Sequence, residues 1–340
     1  MNESRQRLVW WRPIAIALGL TLALAATFYF VCVSMPGSTY ADAPPALDAA
    51  QLETKARLST DLQELAVAIG ERHDGLPRAY RRALEMIEGR LASAGWEPVR
   101  EPFDGGGPEP SNNVVAEMRG DDPTWIVIGA HYDTARGSPG ANDNGTGVVA
   151  LLELARRLRS TPESRSLRLV FFANEEPPHF EKATMGSRAH AKAAAQRGET
   201  IAAMISLETM GFFSEAEESQ KYPAPFELFY PTRGNFLGFI GNLDSRSLVR
   251  KSVGTFREHA KLPAEGAAIF ESIPGVGWSD HASFWAEGVP ALMVTDTAPF
   301  RYPHYHTSSD TPDQVDFDRL TLAVDGLDAV VRTLLHAEAR

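Results

Sequence analysis

Cysteine is almost absent from this 340-residue chain: the only one, Cys32, sits in a long apolar run near the N-terminus. Beyond that run there is no thiol, which excludes disulfides, a cysteine nucleophile and a cysteine-based zinc site. Positive charge is also scarce. Lys plus Arg total 33 against 44 for Asp plus Glu, a formal charge of −11, and no basic run reaches five residues. The electrostatic footprint of a nucleic-acid binder is therefore missing. So is a G-x-S-x-G elbow, because Ser187 in Met185-Gly186-Ser187-Arg188 lacks the second glycine, which argues against a serine hydrolase. After about residue 50 there is no internal repeat and no low-complexity tract. With 44% hydrophobic and 23% charged residues, the composition fits a globular protein with a sizeable core.

What the N-terminus does have is a long run without charge, from Pro13 to Met35. About 20 apolar residues suffice to cross a bilayer as a helix. Arg5, Arg7 and Arg12 precede the run against only Glu3, which gives residues 1–35 a charge of +2 and leaves −13 for the remainder. By the positive-inside rule the arginines stay cytoplasmic and the rest is exported. The division expected is a basic flank over 1–12, a transmembrane signal anchor over 13–35, a Pro- and Ala-rich linker over 36–50 and one domain over 51–340. Small residues around Thr39-Tyr40-Ala41 leave a cleaved export signal open, and a buried core helix is the plainer alternative. The destination is the cell membrane, with the domain on the periplasmic or extracellular side.

Within the domain, short continuously apolar runs read as strands covered on both faces: Trp125–Gly129, Leu167–Phe172, Ile201–Leu207 and Val289–Thr295. Asn113–Ala116 reads as a further strand. Apolar stripes at helical spacing fall at Leu84, Ile87 and Leu91, at Val148, Leu151, Leu152, Ala155 and Leu158, and from Leu320 to Leu334. The alternation predicts an α/β fold, a three-layer α/β/α sandwich with a mainly parallel mixed sheet and helices on both faces. Ligands in such folds bind beyond the carboxyl ends of the strands.

Polar residues collect at those ends. The first apolar run leads to His131-Tyr132-Asp133, and a glycine-rich loop follows with Asp143. The next leads to Glu175-Glu176, the third ends at Glu208, and the loop after the fourth holds Tyr302, His304, His306 and Asp310. Singly, each could be a helix cap or a solvated loop residue; together they suit zinc. Imidazole and carboxylate are zinc donors, and a carboxylate can bridge two ions about 3.5–4 Å apart. Adjacent Glu175 and Glu176 point in different directions near a strand end, so one can bind metal while the other faces a water. A carboxylate so placed accepts a proton from water acidified by the metal and later donates it to a leaving amine. Amide hydrolysis is the natural chemistry of that set.

The segments AHYDT at 130–134, ANDNGTG at 141–147, NEE at 174–176, MGSRAHA at 185–191, SLETMG at 206–211 and YHTSSDTPD at 305–313 resemble the co-catalytic di-zinc aminopeptidase family. Glutamate carboxypeptidase II, the transferrin receptor and, on the same fold, the glutaminyl cyclases are its relatives, and the resemblance covers about residues 75–337. It implies the phosphorylase/hydrolase-like fold of zinc peptidases. It implies that Asp143 bridges two zinc ions, with His131 and Glu208 on one and Glu176 and His306 on the other. Glu175 would be the general acid/base, and Asp133 would hold the His131 imidazole. Two departures stand out: Glu208 occupies a position more often Asp, and PPHFEKAT after Glu176 is longer than the usual link. The Tyr-His-Thr pattern selects His306 over His304. Asp280, His281 and Tyr302 are candidates for substrate contact, although His281 equally reads as a helix-start histidine.

The expected activity is that of a membrane-anchored exopeptidase, most simply an aminopeptidase acting on peptides; the acidic exported portion agrees with a cationic amino terminus as the docking group. A single-zinc acyltransferase resembling the glutaminyl cyclases is the alternative, since Trp278-Ser279-Asp280-His281 resembles their Asp-His pair. A non-catalytic ectodomain would have lost metal-site residues or Glu175, and this chain retains them.

Overall fold

Eight strands form one sheet in the order β1-β2-β4-β3-β5-β8-β6-β7. They are β1 Val99–Phe103, β2 Ser111–Met118, β3 Asp122–His131, β4 Arg165–Phe172, β5 Ile201–Glu208, β6 Leu237–Gly241, β7 Ala264–Ala268 and β8 Ala291–Thr295. The computed structural model describes residues 3–159 and 164–336; the side chains of 1–12, which include the basic flank, lie outside the described residues. The four central strands, β4-β3-β5-β8, run parallel. β2 joins antiparallel to β4, and β6 antiparallel to β8. The sheet is thus mixed with a parallel centre, as the apolar runs imply. β1, β6 and β7 escape sequence reading because they are short, peripheral and carry glycine, proline or charge in place of an apolar run.

The helices are α1 Glu3–Phe28, α2 Ala49–Gln63, α3 Pro77–Ser93, α4 Gly147–Leu158, α5 Gly186–Gln196, α6 Arg246–His259, α7 His281–Trp285 and α8 Phe317–Leu335. Side chains alternate across a strand, and the two resulting cores divide accordingly. Ile126, Ile128 and Ala130 pack with the apolar stripes of α2, α3, α4, α6 and α8. Trp125, Val127, Val170 and Phe172 pack on the other face with α5 and with Phe284 of α7. Three layers result.

α1 stands apart from both cores. Leu18, Leu20, Leu22 and Leu24 are 60, 62, 61 and 71% exposed, so this is not a core helix. Pro13–Val33 is long and apolar enough to cross a membrane. The stretch expected as a linker is tied down where it begins. The carbonyls of Pro36 and Gly37 accept from Arg257, and Thr39 accepts from the Ala264 amide. Its last residues already belong to α2, where Asp48 and Gln51 form a reciprocal cap.

Candidate active site

His131 ends β3 and Glu208 ends β5, while Glu175 and Glu176 follow β4. Parallel neighbours in register bring these ends to one rim. Asp143 reaches it from the loop before α4, and His306 from the loop after β8. The His131 Nε2 atom lies 3.5 Å from Asp143 Oδ1 and 3.3 Å from Glu208 Oε2. His306 Nε2 lies 3.1 Å from both Asp143 Oδ2 and Glu176 Oε2. Each set of three offers its atoms within 4.8 Å of one another, and Asp143 belongs to both. Glu175 sits beside them, 3.9 Å from His131, in a third such set with His131 and Glu176.

The donor set fits zinc. Two ligands about 2.05 Å from a tetrahedral ion stand about 3.3 Å apart, close to the 3.1–3.5 Å separations here. Asp143 Oδ2 and His306 Nε2 are buried and neither has a hydrogen-bond partner, although they face each other. Electrostatics point the same way. Burial, together with the Asp143 charge, pushes Glu176 up to about 8. Glu175 rises well above the usual carboxylate range through burial, with Glu208, Glu176 and Asp280 adding to it. Burial alone would lower His306, but Asp143 and Glu176 hold it up to about 10. A divalent ion in each set would offset the charge of carboxylates buried this closely.

Second contacts fix the rim. Asp133 uses both oxygens on the chain: Oδ1 and Oδ2 accept from the Glu175 and Glu176 amides, each at 3.0 Å. It also faces His131 Nδ1 at 3.5 Å, where it helps to hold the imidazole's proton affinity up alongside Glu208 and Glu175. Asp310 accepts from the Asn142 and Asp143 amides and from the Tyr302 hydroxyl at 2.7 Å. His306 has a φ of 57° and Asn174 one of 59°. Left-handed backbone at a non-glycine residue costs about 1–3 kcal/mol, a strain that clusters at functional sites.

Not every expected residue faces the cleft. Tyr302 is 3% exposed and braces Asp310 through its hydroxyl. His281 is fully buried, bonds the Val276 carbonyl and packs edge-on against Trp285 at 4.5 Å. Burial lowers it to about 4, so it is a neutral core histidine. His304 pairs with Ser309 at 2.8 Å, and His179 with Thr184 and Asp74. Asp280 is buried with neither carboxylate oxygen hydrogen-bonded, and its charge acts on Glu175.

Sequence reading missed Arg72 and Ser279. Arg72 is fully buried and donates to the carbonyls of Gly70, Tyr132, Pro139 and Gly140, tying the chain after His131 to the loop before Asp143. Ser279 donates to Glu208 at 2.8 Å and bonds Ser206. Arg72 belongs to no motif, and Ser279 lies in the segment 278–281 without a role of its own there, so only the fold brings them in.

Residues 113–330 match the description Peptidase family M28. The uncharacterized protein YfbL of Escherichia coli is 36% identical over 266 residues, covering 75% of this chain and 79% of that one. A probable leucine aminopeptidase of Arthroderma otae is 29% identical over 61% of this chain; the alignment spans 52% of the fungal protein. Among solved structures, the Bacillus subtilis zinc aminopeptidase BSAP superposes with a TM-score of 0.66 at 17% identity, covering 84% of this chain and 96% of that one. Fimbriiglobus ruber glutaminyl cyclase gives 0.62 at 21%, covering 86% and 99%. With more than half its length matched, the chain belongs to peptidase family M28 and is a peptide hydrolase.

Proposed function

We propose that this protein is a membrane-anchored aminopeptidase that holds two zinc ions and removes residues from the amino ends of peptides on the exported side of a membrane. The observation that carries the reading is Asp143: its two oxygens face two separate imidazole–carboxylate sets, and Glu175 stands beside them. His131, Asp143 and Glu208 would hold one ion, and Asp143, Glu176 and His306 the other. Zinc supplies Lewis acidity there, polarising a carbonyl and acidifying water.

The chain's own groups then move the proton. Glu175 takes it from the attacking water and returns it to the amine nitrogen as the C–N bond breaks. Asp133 keeps Glu175 and Glu176 at fixed angles through their amides. Burial raises the proton affinity of Glu175, which suits a group that must also donate. Exposed leucines on α1 support anchoring, since its described side chains from Pro13 to Thr27 are all exposed.

Asp280 favours a second reading. A buried carboxyl acting on Glu175 suits a pair that passes a proton during attack by an amine, as a glutaminyl cyclase-like acyltransferase needs. One experiment separates the two. The full chain in detergent, loaded with zinc, is given a peptide beginning Gln-Leu-Ala and the products are weighed. Loss of the terminal residue is expected; loss of ammonia from an intact chain would overturn the aminopeptidase reading.

A further inference from the structure

Residues that the catalytic reading leaves unused gather where α1 meets the domain. The Phe28 ring lies 6.1 Å from Phe226 and 5.8 Å from Phe229. Cys32 and Val33 are buried in a small cluster with Phe226, Ala267, Ile269 and Val276. Arg246 donates to the carbonyls of Phe30 and Val31, and Arg250 to that of Ser34. The end of the helix is therefore fixed against α6 and the β7 edge.

Exposed apolar side chains neighbour that cluster in sequence, beside the exposed carboxylates of Glu227 and Glu271. Leu228, two residues beyond Phe226, is 76% exposed; Phe270, next to Ile269, is 54% exposed. Single exposed apolar residues need no explanation. Leu228 and Phe270 each lie within two residues of a member of the cluster that receives the helix, and Phe30 on the helix end is itself 65% exposed.

A spanning helix fixed to its domain carries the surfaces flanking its exit to the level of the lipid headgroups. Aromatic and aliphatic side chains are favoured there. We propose that the face formed by Phe30, Leu228 and Phe270 seats in the interfacial region of a phospholipid bilayer and holds the domain in one orientation. The inference rests on the reading of α1 as a membrane anchor. β3, whose end carries His131, is four strands from β7. The candidate centre thus stands roughly 20 Å from that edge at about 4.8 Å per strand, clear of the lipid.

Nitroxide labels on the full chain test this in vesicles of phosphatidylethanolamine and phosphatidylglycerol. Single cysteines replace Leu20, Leu228, Phe270 or Val99 in a Cys32→Ala background, with circular dichroism to verify folding. Val99 is 62% exposed on β1, at the opposite edge of the sheet. Labels at 228 and 270 are expected to show an oxygen-to-nickel accessibility ratio several-fold above that at 99, approaching the ratio at 20. If 228 and 270 match 99 while 20 reports lipid, the docking face is refuted and the anchor stands. If 20 also reports water, the anchor reading fails and this inference with it. Dipolar broadening between labels at 228 would mean that a second copy covers the face, and would overturn the lipid assignment.

Discussion

At the residue scale, the side chains nearest the centre divide between holding metal and moving protons. Glu175→Gln keeps the size of the side chain and removes its basicity. It is expected to lower kcat by about 10²–10⁴-fold with zinc content by mass spectrometry unchanged; retention of most activity would remove Glu175 from the proton path. His306 and His304 are two positions apart, yet only His306 faces Asp143 and Glu176. His306→Ala should lose zinc and His304→Ala should not; equal losses would undo that assignment. Arg72 makes a different point. Its substitution by leucine would leave buried carbonyls without their charged donor, at about 1–3 kcal/mol for each group left unpaired. Urea denaturation of Arg72→Leu should show a loss of at least about 3 kcal/mol on that basis. An unchanged midpoint would mean that water replaces the guanidinium. The ligand candidates were legible in the sequence because each ends an apolar run or lies in the loop that follows one. Arg72 was not, because its partners are carbonyls, which every residue has. The surroundings of Tyr302 and His281 were not legible for a related reason: residue type does not disclose whether a polar group faces a cleft or a neighbour inside the core.

At the scale of elements, the loop 141–147 decides whether the two halves of the site meet. Asn144 ties it to β5 through the Leu207 carbonyl and the Thr209 amide, and Asn142 ties it to Asp296 and Gly211. Gly147, where α4 begins, packs so tightly that a Cβ would come within 2.5 Å of the Leu207 carbonyl oxygen. Its φ of −62° suits any residue, so the constraint is space alone. Gly147→Ala should cost about 1–3 kcal/mol through overpacking and lower zinc content by moving Asp143. Full stability and full zinc would show that α4 slides freely on β5. The central strands and α4 and α8 were readable from apolar runs and stripes. β6 and β7 were not, because a strand such as Ala264–Ala268 draws its place from its neighbour's hydrogen bonds and offers little side-chain pattern.

For the whole molecule, metal binding and folding should be linked. The site is shared by β3, β4, β5 and two loops, so it exists only in the folded chain. Zinc at 100 times its Kd would then add about 2.7 kcal/mol of stability. A chelator should lower Tm reversibly, and Glu208→Ala should reduce the difference; a Tm indifferent to the chelator would argue against metal in this site. The sequence by itself determined the apolar N-terminal run, the α/β alternation and the ring of His, Asp and Glu at strand ends, since periodicity and composition are local properties of the chain. Only the tertiary structure decided that Asp143 faces both imidazoles, that Asp133 grips the glutamate pair by its amides, that Tyr302 and His281 turn inward, and that the exit of α1 is fixed to the β7 edge. Each of these depends on the register between strands and the packing of loops far apart in sequence. Such contacts are set by how the whole core closes, and no single segment encodes them.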